Sequence, residues 1–378
     1  MNVPKLRFKE FNDEWQNYKV EEILKISNGI NKEKEFFGSG TPIINYMDVN
    51  KNELISHNIV KGLVIANSKE LETFNVKKGD ILFTRTSETS DEIGLSSSVI
   101  ENIDKCIFSG FILKGTQTKQ FIHPYFGGYY FRNPKMRKEI IKHSSITTRA
   151  LTSGSLLSQM SISIPTIIEQ EKIGKTLSLL DKKVELQAKK IEDLKLFKKG
   201  LLKKNYYKIA NNNLTELSCI ANVYQPQTIS QSELDNGKYY VFGANGIIGK
   251  YSKFNHKFMQ VTISCRGENS GTINLTPDEC WITGNSMVLN VDENKNVDKL
   301  YLKNILEAQN LKYLISGSGQ PQIVRSSVLK HKIPYISIEQ QKKFTIPFIK
   351  LDSKIKLEQN KLIKLQKLKK GLMQKMFV

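Results

Sequence analysis

The stretch DKKVELQAKKIEDLKLFKKGLLKKNY, residues 181–206, occurs a second time as DSKIKLEQNKLIKLQKLKKGLMQKMF at residues 352–377. The two copies align without a gap, and ten of the 26 aligned positions are identical. Apolar residues recur at heptad-like spacing on a highly charged background, which is typical of a helix that packs against a partner helix. Because the simplest partner is the other copy, the repeat predicts two long helices that pair within one chain.

The predicted contact between the two helices is a narrow apolar seam. Each copy contributes four equivalent positions to it. These seam residues are Val184, Ile191, Leu194 and Leu201 in the first copy, and Ile355, Leu362, Leu365 and Leu372 in the second.

Each copy is preceded by Ile-Pro and by a capping box, formed by Thr166 with Glu169 and by Ser337 with Gln340. A hydroxyl at the N-cap accepts the N3 amide, and the N3 side chain reaches back to the N-cap amide. We therefore expect the long helices to begin near Thr166 and Ser337. Pro347 should kink the second helix or restart it at that point.

The predicted helices run from these caps to a glycine, Gly200 in the first copy and Gly371 in the second. About 35 residues of helix would span roughly 50 Å. One turn of B-DNA is about 34 Å long. Such a helix pair could therefore hold two globular domains about one DNA turn or more apart.

The net charge of +20 points to a polyanionic partner or to an acidic protein surface. Residues 166–208 contain twelve lysines against six acids, and residues 336–378 contain eleven lysines against three. Most of the excess charge therefore lies on the two repeated segments. A single-sign field along two helices suits a phosphate backbone, or acidic partner subunits packed along the helices.

Several classes of protein do not fit the sequence. The four cysteines are far apart, which argues against a zinc site or a disulfide framework. The first residues lack the apolar core of a signal peptide, and no apolar run approaches membrane-spanning length, so we predict a cytoplasmic protein. No phosphate-binding loop, dinucleotide fingerprint or metalloprotease motif occurs.

The segments before the two helices also echo each other. GDILFTRTSE (79–88) and QVTISCRGEN (260–269) are apolar runs that end in arginine and glutamate, and CIFSG (106–110) matches CWITG (280–284). Short β-rich runs punctuated by Gly, Asn and Ser indicate mixed α/β domains with exposed loops. The predicted domains are a first recognition domain at 1–165, a central repeated helix at 166–207, a second recognition domain at 208–335 and a C-terminal repeated helix at 336–378.

Recognition of bases needs donors and acceptors on loops, because Arg pairs with guanine, Gln or Asn with adenine, and Glu with cytosine. The densest such loop is GSGQPQIVRSS, residues 317–327, and its looser counterpart in the first half is residues 143–154. For any single arginine, a surface salt bridge is an equally good interpretation. The residues that we predict to bind DNA are Arg85, Thr86, Glu88, Thr148, Arg149, Asn245, Arg266, Glu268, Asn269, Gln320, Gln322 and Arg325.

Over essentially its whole length the chain resembles the specificity subunit of type I restriction–modification enzymes. The residues that carry this resemblance are Gly317-Ser-Gly-Gln-Pro-Gln322, Ile333-Pro334, Ile338-Glu339-Gln340, the lysine-rich helix ending Lys-Lys-Gly371-Leu-Met, and the opening Pro4-Lys-Leu-Arg-Phe8 with Trp15. The first half departs from the pattern because its recognition loop lacks the Gln-Pro-Gln motif.

The fold class that we predict is α+β. It comprises two mixed α/β target recognition domains separated by two long helices, which form an antiparallel intramolecular coiled coil with pseudo-twofold symmetry. The resemblance implies a chain that is not an enzyme and that reads a bipartite, asymmetric DNA target, one half per recognition domain. It also implies helices that set the spacer and dock two modification subunits, with restriction subunits joining for cleavage.

The resemblance further implies that this chain binds no cofactor or metal. S-adenosylmethionine, ATP and Mg belong on the partner subunits. Three alternatives stay open: a stand-alone sequence-specific DNA-binding protein, a coiled-coil scaffold for acidic proteins, and an enzyme with an unrecognised site.

Overall fold

The computed structural model describes residues 3–146, 149–211, 213–235, 237–244, 246–317 and 321–378. The chain divides into two compact units, residues 1–188 with 361–378, and residues 189–360. Each unit therefore combines one mixed α/β region with a segment of each long helix. This arrangement confirms the predicted α+β fold class.

The first part of the chain contains short strands, short helices and then a long helix. Its strands are β1 (Gln16–Lys19), β2 (Leu24–Asn28), β3 (Phe37–Ile44), β4 (Leu54–Ile55), β5 (Gly62–Val64), β6 (Ile81–Thr84), β7 (Thr86–Ser87), β8 (Ser96–Val99), β9 (Ile107–Phe108), β10 (Ile112–Gln117), β11 (Ser145–Ile146), β12 (Ala150–Leu151) and β13 (Ser161–Ile164). Its helices are α1 (Val20–Ile23), α2 (Tyr46–Lys51), α3 (Ser68–Thr73), α4 (Pro124–Tyr130), α5 (Pro134–Lys142), α6 (Gly154–Ser158) and the long helix α7 (Ile167–Ile209).

The second part repeats this plan in a shorter form. Its strands are β14 (Leu214–Glu216), β15 (Asn222–Tyr224), β16 (Tyr239–Gly243), β17 (Gly246–Tyr251), β18 (Val261–Ser264), β19 (Ile273–Leu275), β20 (Trp281–Ile282), β21 (Ser286–Asn290) and β22 (Lys332–Pro334). Its helices are α8 (Leu217–Ile220), α9 (Lys299–Gln309), α10 (Arg325–Leu329) and the long helix α11 (Ile338–Lys375). Short 3₁₀ turns occur at Lys34–Phe36, Ser90–Glu92, Gln231–Glu233 and Leu311–Leu314.

The sheets of the two halves share a common topology, and the main sheet of the first half has one additional strand, β4. The main sheet has the strand order β2-β10-β6-β8-β4 in the first half and β15-β21-β18-β19 in the second. In each half a second sheet has a central strand, β3 or β16, with an antiparallel neighbour on one side and a parallel neighbour on the other. A two-stranded pairing, β1 with β13 or β14 with β22, precedes each long helix. One fold is therefore used twice, although the halves share little sequence outside the helices.

The core of the first unit contains side chains from α7 and from the C-terminal end of the chain. Ile173 and Leu177 of α7 lie in the same buried cluster as Met376 and Phe377 at the C-terminus. The ring of Phe377 packs against that of Phe126 in α4, with 5.5 Å between ring centroids. Because these side chains are almost completely withdrawn from solvent, each contributes about 1.5–3 kcal/mol of hydrophobic stabilisation. The end of α11 is thus fixed in the first unit.

Both long helices begin one residue after their predicted N-caps. At the second helix the capping box is complete, because Ser337 Oγ accepts from the Gln340 amide at 3.4 Å and Gln340 Oε1 accepts from the Ser337 amide at 3.2 Å. At the first helix only half of it forms. Thr166 Oγ1 accepts from the Glu169 amide at 3.5 Å, whereas the Glu169 carboxylate pairs with Arg7 at 2.7 Å.

The helix interiors differ in part from the expectations. Of the two outcomes expected at Pro347, a kink or a restart, the restart does not occur, since α11 runs unbroken through this residue. The adjacent Phe348 is fully buried, so tertiary packing offsets the backbone hydrogen bond that proline removes. The helices also continue past Gly200 and Gly371, and a Cβ added at either glycine would meet nothing within 4 Å. With 43 and 38 residues, α7 and α11 are about 65 and 57 Å long.

A buried glutamine in the first turn joins α11 to the domain before it. The Gln341 side chain accepts a hydrogen bond from the Asp298 amide at 2.8 Å. It donates to the carbonyls of Ile336 and Asn296 at 2.8 and 2.9 Å. All three contacts lie within the second unit, and Gln341 is completely buried.

The first unit contains the same arrangement at α7. Gln170 accepts from the His123 amide at 2.8 Å and donates to the carbonyls of Pro165 and Phe121 at 2.8 and 2.9 Å. Each glutamine therefore satisfies three backbone groups where a helix leaves a globular domain. This repetition shows that the helix–domain junction was duplicated together with the helix.

We predict that Gln341→Ala lowers the free energy of unfolding of the second unit by about 2–3 kcal/mol, because buried backbone groups lose their partners. Gln340→Ala is the matched control, since it removes only an exposed half of the capping box and should cost about 0.5–1 kcal/mol. Chemical denaturation of both variants measures the difference. Equal losses would contradict a special role for the buried glutamine.

Candidate DNA interface and the paired long helices

The two long helices are joined in each unit by the same kind of ion pair. In the first unit Asp181 of α7 lies 2.5 Å from Lys369 of α11. In the second unit Lys198 of α7 lies 2.5 Å from Asp352 of α11. In the sequence repeat Asp181 aligns with Asp352, and Lys198 aligns with Lys369. The repeat therefore pairs with itself reciprocally, the aspartate of each copy meeting the lysine of the other.

The direction of pairing follows from the second unit alone. There Lys190 and Lys198 of α7 contact Glu358 and Asp352 of α11, at 3.1 and 2.5 Å. Partners along α11 thus come in reverse order, so the two helices run antiparallel. This confirms the predicted antiparallel pairing.

All eight predicted seam residues are buried or half-buried. Ile191 and Ile355 are buried, with 4% and 8% of their surfaces exposed. The other six are half-buried, namely Val184, Leu194, Leu201, Leu362, Leu365 and Leu372. Leucines on other faces are much more open, such as Leu196, which is 70% exposed. The heptad interpretation did not include the buried Leu202, which lies next to a seam position.

Lys369 also attaches the helix pair to the first globular domain. Its ammonium group contacts Glu53 at 2.8 Å and Asp181 at 2.5 Å. The hydroxyl of Tyr129 donates to the same aspartate at 2.6 Å. Burial lowers the pKa of Lys369, but the two carboxylates outweigh burial, so the pKa is raised overall and the group stays charged.

In the second unit two of the predicted DNA-binding loops meet at the end of β18. Arg266, Glu268 and Asn269 follow this strand and are exposed. The Gly267 amide donates to the Pro321 carbonyl at 3.1 Å, and Arg266 forms a backbone bridge with Gln322. The structure therefore brings Arg266 and Gln322 together at one edge of the domain, although they are 56 residues apart in the sequence.

The first unit has a corresponding edge at the end of β6. Strand β7, which contains Thr86, pairs with β12 of the β11–β12 hairpin. Arg149 lies exposed just before β12, and Glu88 is exposed just after β7. Within the two loosely matched segments, the described residues 149–154 and 321–327 thus lie beside corresponding strand ends in the two halves.

The two post-strand arginines do not occupy equivalent positions. The Arg85 carbonyl accepts from the Thr152 amide at 3.0 Å, and the Cys265 carbonyl accepts from the Ile323 amide at 2.9 Å. Cys265 is therefore the counterpart of Arg85, and Arg266 comes one residue later. Because successive residues of a strand point to opposite faces, this offset changes the exposure: Arg85 is half-buried and Arg266 is exposed. Aligning Arg85 with Arg266 by residue type alone is therefore wrong by one residue.

The remaining predicted contacts lie in different surroundings. Thr148, Asn245 and Gln320 fall outside the described residues. Arg325 begins α10, and its Nε donates to the Val223 carbonyl at 2.6 Å, so part of this guanidinium already contributes to the fold.

Two half-buried arginines of the first domain, Arg132 and Arg137, carry no signal in the sequence that marks them. Arg132 donates to the carbonyls of Asn50 and Asn52 at 3.0 and 2.9 Å. Arg137 donates to the Gly94 carbonyl at 2.9 Å and thereby fixes the loop that follows Glu88. Burial lowers the pKa of Arg137 to about 10. Both side chains are structural, because their donors satisfy backbone carbonyls rather than facing solvent.

The two edges differ in the elements that flank them. In the first unit residues 45–61, with α2 and β4, connect β3 to β5. In the second unit β16 turns directly into β17, and Gly243 pairs with Gly246. The second domain therefore has a tight hairpin between these strands, whereas the first domain has a helix and a strand between the corresponding ones.

No cluster of three or more His, Cys, Asp or Glu residues that could hold a metal ion occurs in the part of the chain that the structure describes. Across those same ranges, each helix is too short or too polar to cross a membrane.

Comparisons with known proteins agree on one family. A family model described as "Type I restriction modification DNA specificity domain" matches residues 12–196 and 209–367. A putative type I restriction enzyme MjaX specificity subunit of Methanocaldococcus jannaschii is 24% identical, over 98% of this chain and 95% of that protein. The fold resembles that of the S subunit of a type I restriction–modification system from M. genitalium, with a TM-score of 0.64, 18% identity, and coverage of 100% of this chain and 99% of that one.

A further solved structure, described as showing complex assembly and conformational transition of the type I R-M system, has a TM-score of 0.61 and 14% identity. The match covers 96% of this chain and 97% of that chain. These likenesses extend over both halves and both long helices.

We predict that Ile355→Asp destabilises the second unit by about 3 kcal/mol, because it places a carboxylate in the buried helix seam. Leu357→Asp is the matched control on the same helix, where the leucine is 54% exposed, and it should change stability by about 0.5 kcal/mol. Urea denaturation followed by circular dichroism compares the two. A small effect of Ile355→Asp would argue against the seam.

Proposed function

The chain belongs to the type I restriction modification DNA specificity family, and from that premise we propose that it reads a bipartite, asymmetric DNA target for a type I restriction–modification complex. A specificity subunit is the non-catalytic component of such systems, and its family carries no cofactor of its own. In this proposal residues 1–165 read one half of the target and residues 208–335 read the other. The long helices set the unspecified spacer between the halves.

The observation that carries the proposal is the duplicated loop edge at the ends of β6 and β18. Each edge is formed by two segments distant in sequence, and each presents exposed polar and cationic side chains, such as Arg149 and Arg266. Side chains of this kind pair with base edges in the major groove. Because unlike elements flank the two edges, the two halves of the target should differ.

The lysines of the long helices supply a second contribution. Their positive charge attracts the phosphate backbone of DNA of any sequence. It therefore strengthens the part of the binding that does not depend on sequence. Binding should therefore weaken steeply with salt, whereas the choice of sequence should depend on the loop residues. This division of labour between phosphate contacts and base contacts is general for DNA-binding proteins.

Exposed apolar side chains on the helices suit subunit docking. On α7 Leu186 is 57% exposed, and on α11 Leu357 and Leu368 are 54% and 52% exposed. Side chains of this kind can be covered when a partner subunit packs along the helices. We propose that two modification subunits, which supply S-adenosylmethionine and methylate adenine, bind the paired helices. Restriction subunits that use ATP and Mg join them for cleavage.

The docking proposal separates this function from the alternatives. A stand-alone DNA-binding protein or a coiled-coil scaffold would not direct adenine methylation. Co-purification with modification subunits, followed by methylation of plasmid DNA, therefore distinguishes the three.

We predict that exchanging residues 1–165 for the equivalent domain of another family member alters only one half of the methylated motif. The physical reason is that each recognition edge is built within its own half of the chain. Long-read methylation maps of cells carrying either version measure the outcome, with the gene-deletion strain as the control. A change in both halves of the motif would count against independent readers.

We predict that Arg266→Ala and Arg325→Ala each cost about 1–3 kcal/mol of discrimination at one base pair, as for the loss of a bidentate base contact. Arg325→Ala should in addition lower the unfolding temperature, because it loses the bond to the Val223 carbonyl. Competition binding with single-base variants of the target measures discrimination. A uniform loss on all sequences would identify a phosphate contact instead.

A further inference from the structure

The hairpin formed by β16 and β17 exposes apolar side chains near its turn. Ile247 is 56% exposed and its neighbour Ile248 is 44% exposed. Gly246 precedes them with a φ of +89°, a backbone conformation that glycine adopts without strain. Two adjacent isoleucines open to water do not stabilise a hairpin, so their exposure calls for another contact.

A bulge in the hairpin determines how these side chains are presented. Val241 pairs with Gly249, and Phe242 pairs with Ile247, so Ile248 is the extra residue. Its side chain lies close to Gly243, where an added Cβ would come within 3.1 Å of it. Bulges of this type re-aim side chains and are frequent next to functional sites. Ile247, the more exposed of the two, is the more available to a ligand.

Hydrogen bonds hold the hairpin against the predicted DNA-binding edge of the same unit. Ser264 Oγ donates to the Ala244 carbonyl in the turn. The Thr283 amide donates to the Phe242 carbonyl at 2.8 Å. Because Ser264 is two residues before Arg266, the hairpin turn lies beside the loop that carries this arginine.

The charge of the region favours an anionic partner over an apolar one, and its aromatic side chains favour a nucleic acid. Residues 237–267 contain four lysines and one arginine but no aspartate or glutamate. Two of the lysines lie over aromatic rings, Lys238 at 5.1 Å from the Tyr239 centroid and Lys250 at 5.6 Å from the Tyr240 centroid. Interleaved cationic and aromatic side chains are typical of nucleic-acid-binding surfaces.

We propose that Ile247 contacts the 5-methyl group of a thymine in the half of the target read by the second domain. Thymine is the base that presents a methyl group in the major groove, and apolar side chains recognise it there. The inference rests on the proposed function and names a specificity-determining residue for it. The hairpin then adds an apolar contact to the polar contacts of the Arg266 loop, whereas in the first domain the corresponding strands β3 and β5 are joined through α2 and β4.

The test uses the complex of this chain with its modification subunits and a duplex containing the target identified by methylation mapping. Each thymine of the second half-target is replaced in turn by deoxyuridine, which lacks only the methyl group. For the wild-type complex we expect roughly fourfold weaker binding at one position, as for one buried methyl group. Ile247→Ala should bind the thymine duplex at least fourfold more weakly and should show no further loss on the deoxyuridine duplex.

Ile65→Ala is the matched control, because Ile65 is 50% exposed but belongs to the first domain. It should retain the full deoxyuridine effect. An Ile247→Ala complex that still loses fourfold on deoxyuridine, or a wild-type complex without any deoxyuridine effect in this half-target, overturns the inference. Specific binding by a wild-type complex that ignores the methyl group leaves the proposed function intact, whereas the absence of any specific binding overturns both.

Discussion

The reciprocal ion pairs between the two long helices are the constraint on which the structure depends. Asp181 with Lys369 and Asp352 with Lys198 are one interaction formed twice by a duplicated sequence. An aspartate near the middle of each helix can meet a lysine near the end of the other only if the helices run in opposite directions. Exposed ion pairs contribute little free energy. Their value lies in specifying direction and register, while the apolar seam supplies the stability.

The antiparallel register places the end of α11 within the first unit, where Met376 and Phe377 enter the core. The last residues of the chain thereby stabilise its first domain. At the other end of each helix a buried glutamine, Gln170 or Gln341, satisfies backbone groups of the preceding domain. Both ends of α11 are thus tied to globular structure, its start in the second unit and its end in the first.

The two halves combine a shared frame with divergent loop edges. Strand order, the paired strands before each helix and the helix junctions are shared. The loops and hairpins at the ends of β6 and β18 are not, and they contain the residues that would distinguish bases. Variation confined to such edges changes the target without disturbing the helix pair, because the buried contacts of the frame lie elsewhere.

The sequence alone determined the duplicated helices, the residues at which they begin, their antiparallel pairing and the family, because a heptad pattern and a helix start are local and their repetition is visible by alignment. It could not determine that Pro347 is tolerated inside α11, that Cys265 rather than Arg266 is the counterpart of Arg85, or that Arg132 and Arg137 donate to backbone carbonyls. These features depend on strand register and on packing between residues distant in the chain. Only the tertiary structure decides them, since a shift of one residue along a strand turns each side chain to the other face.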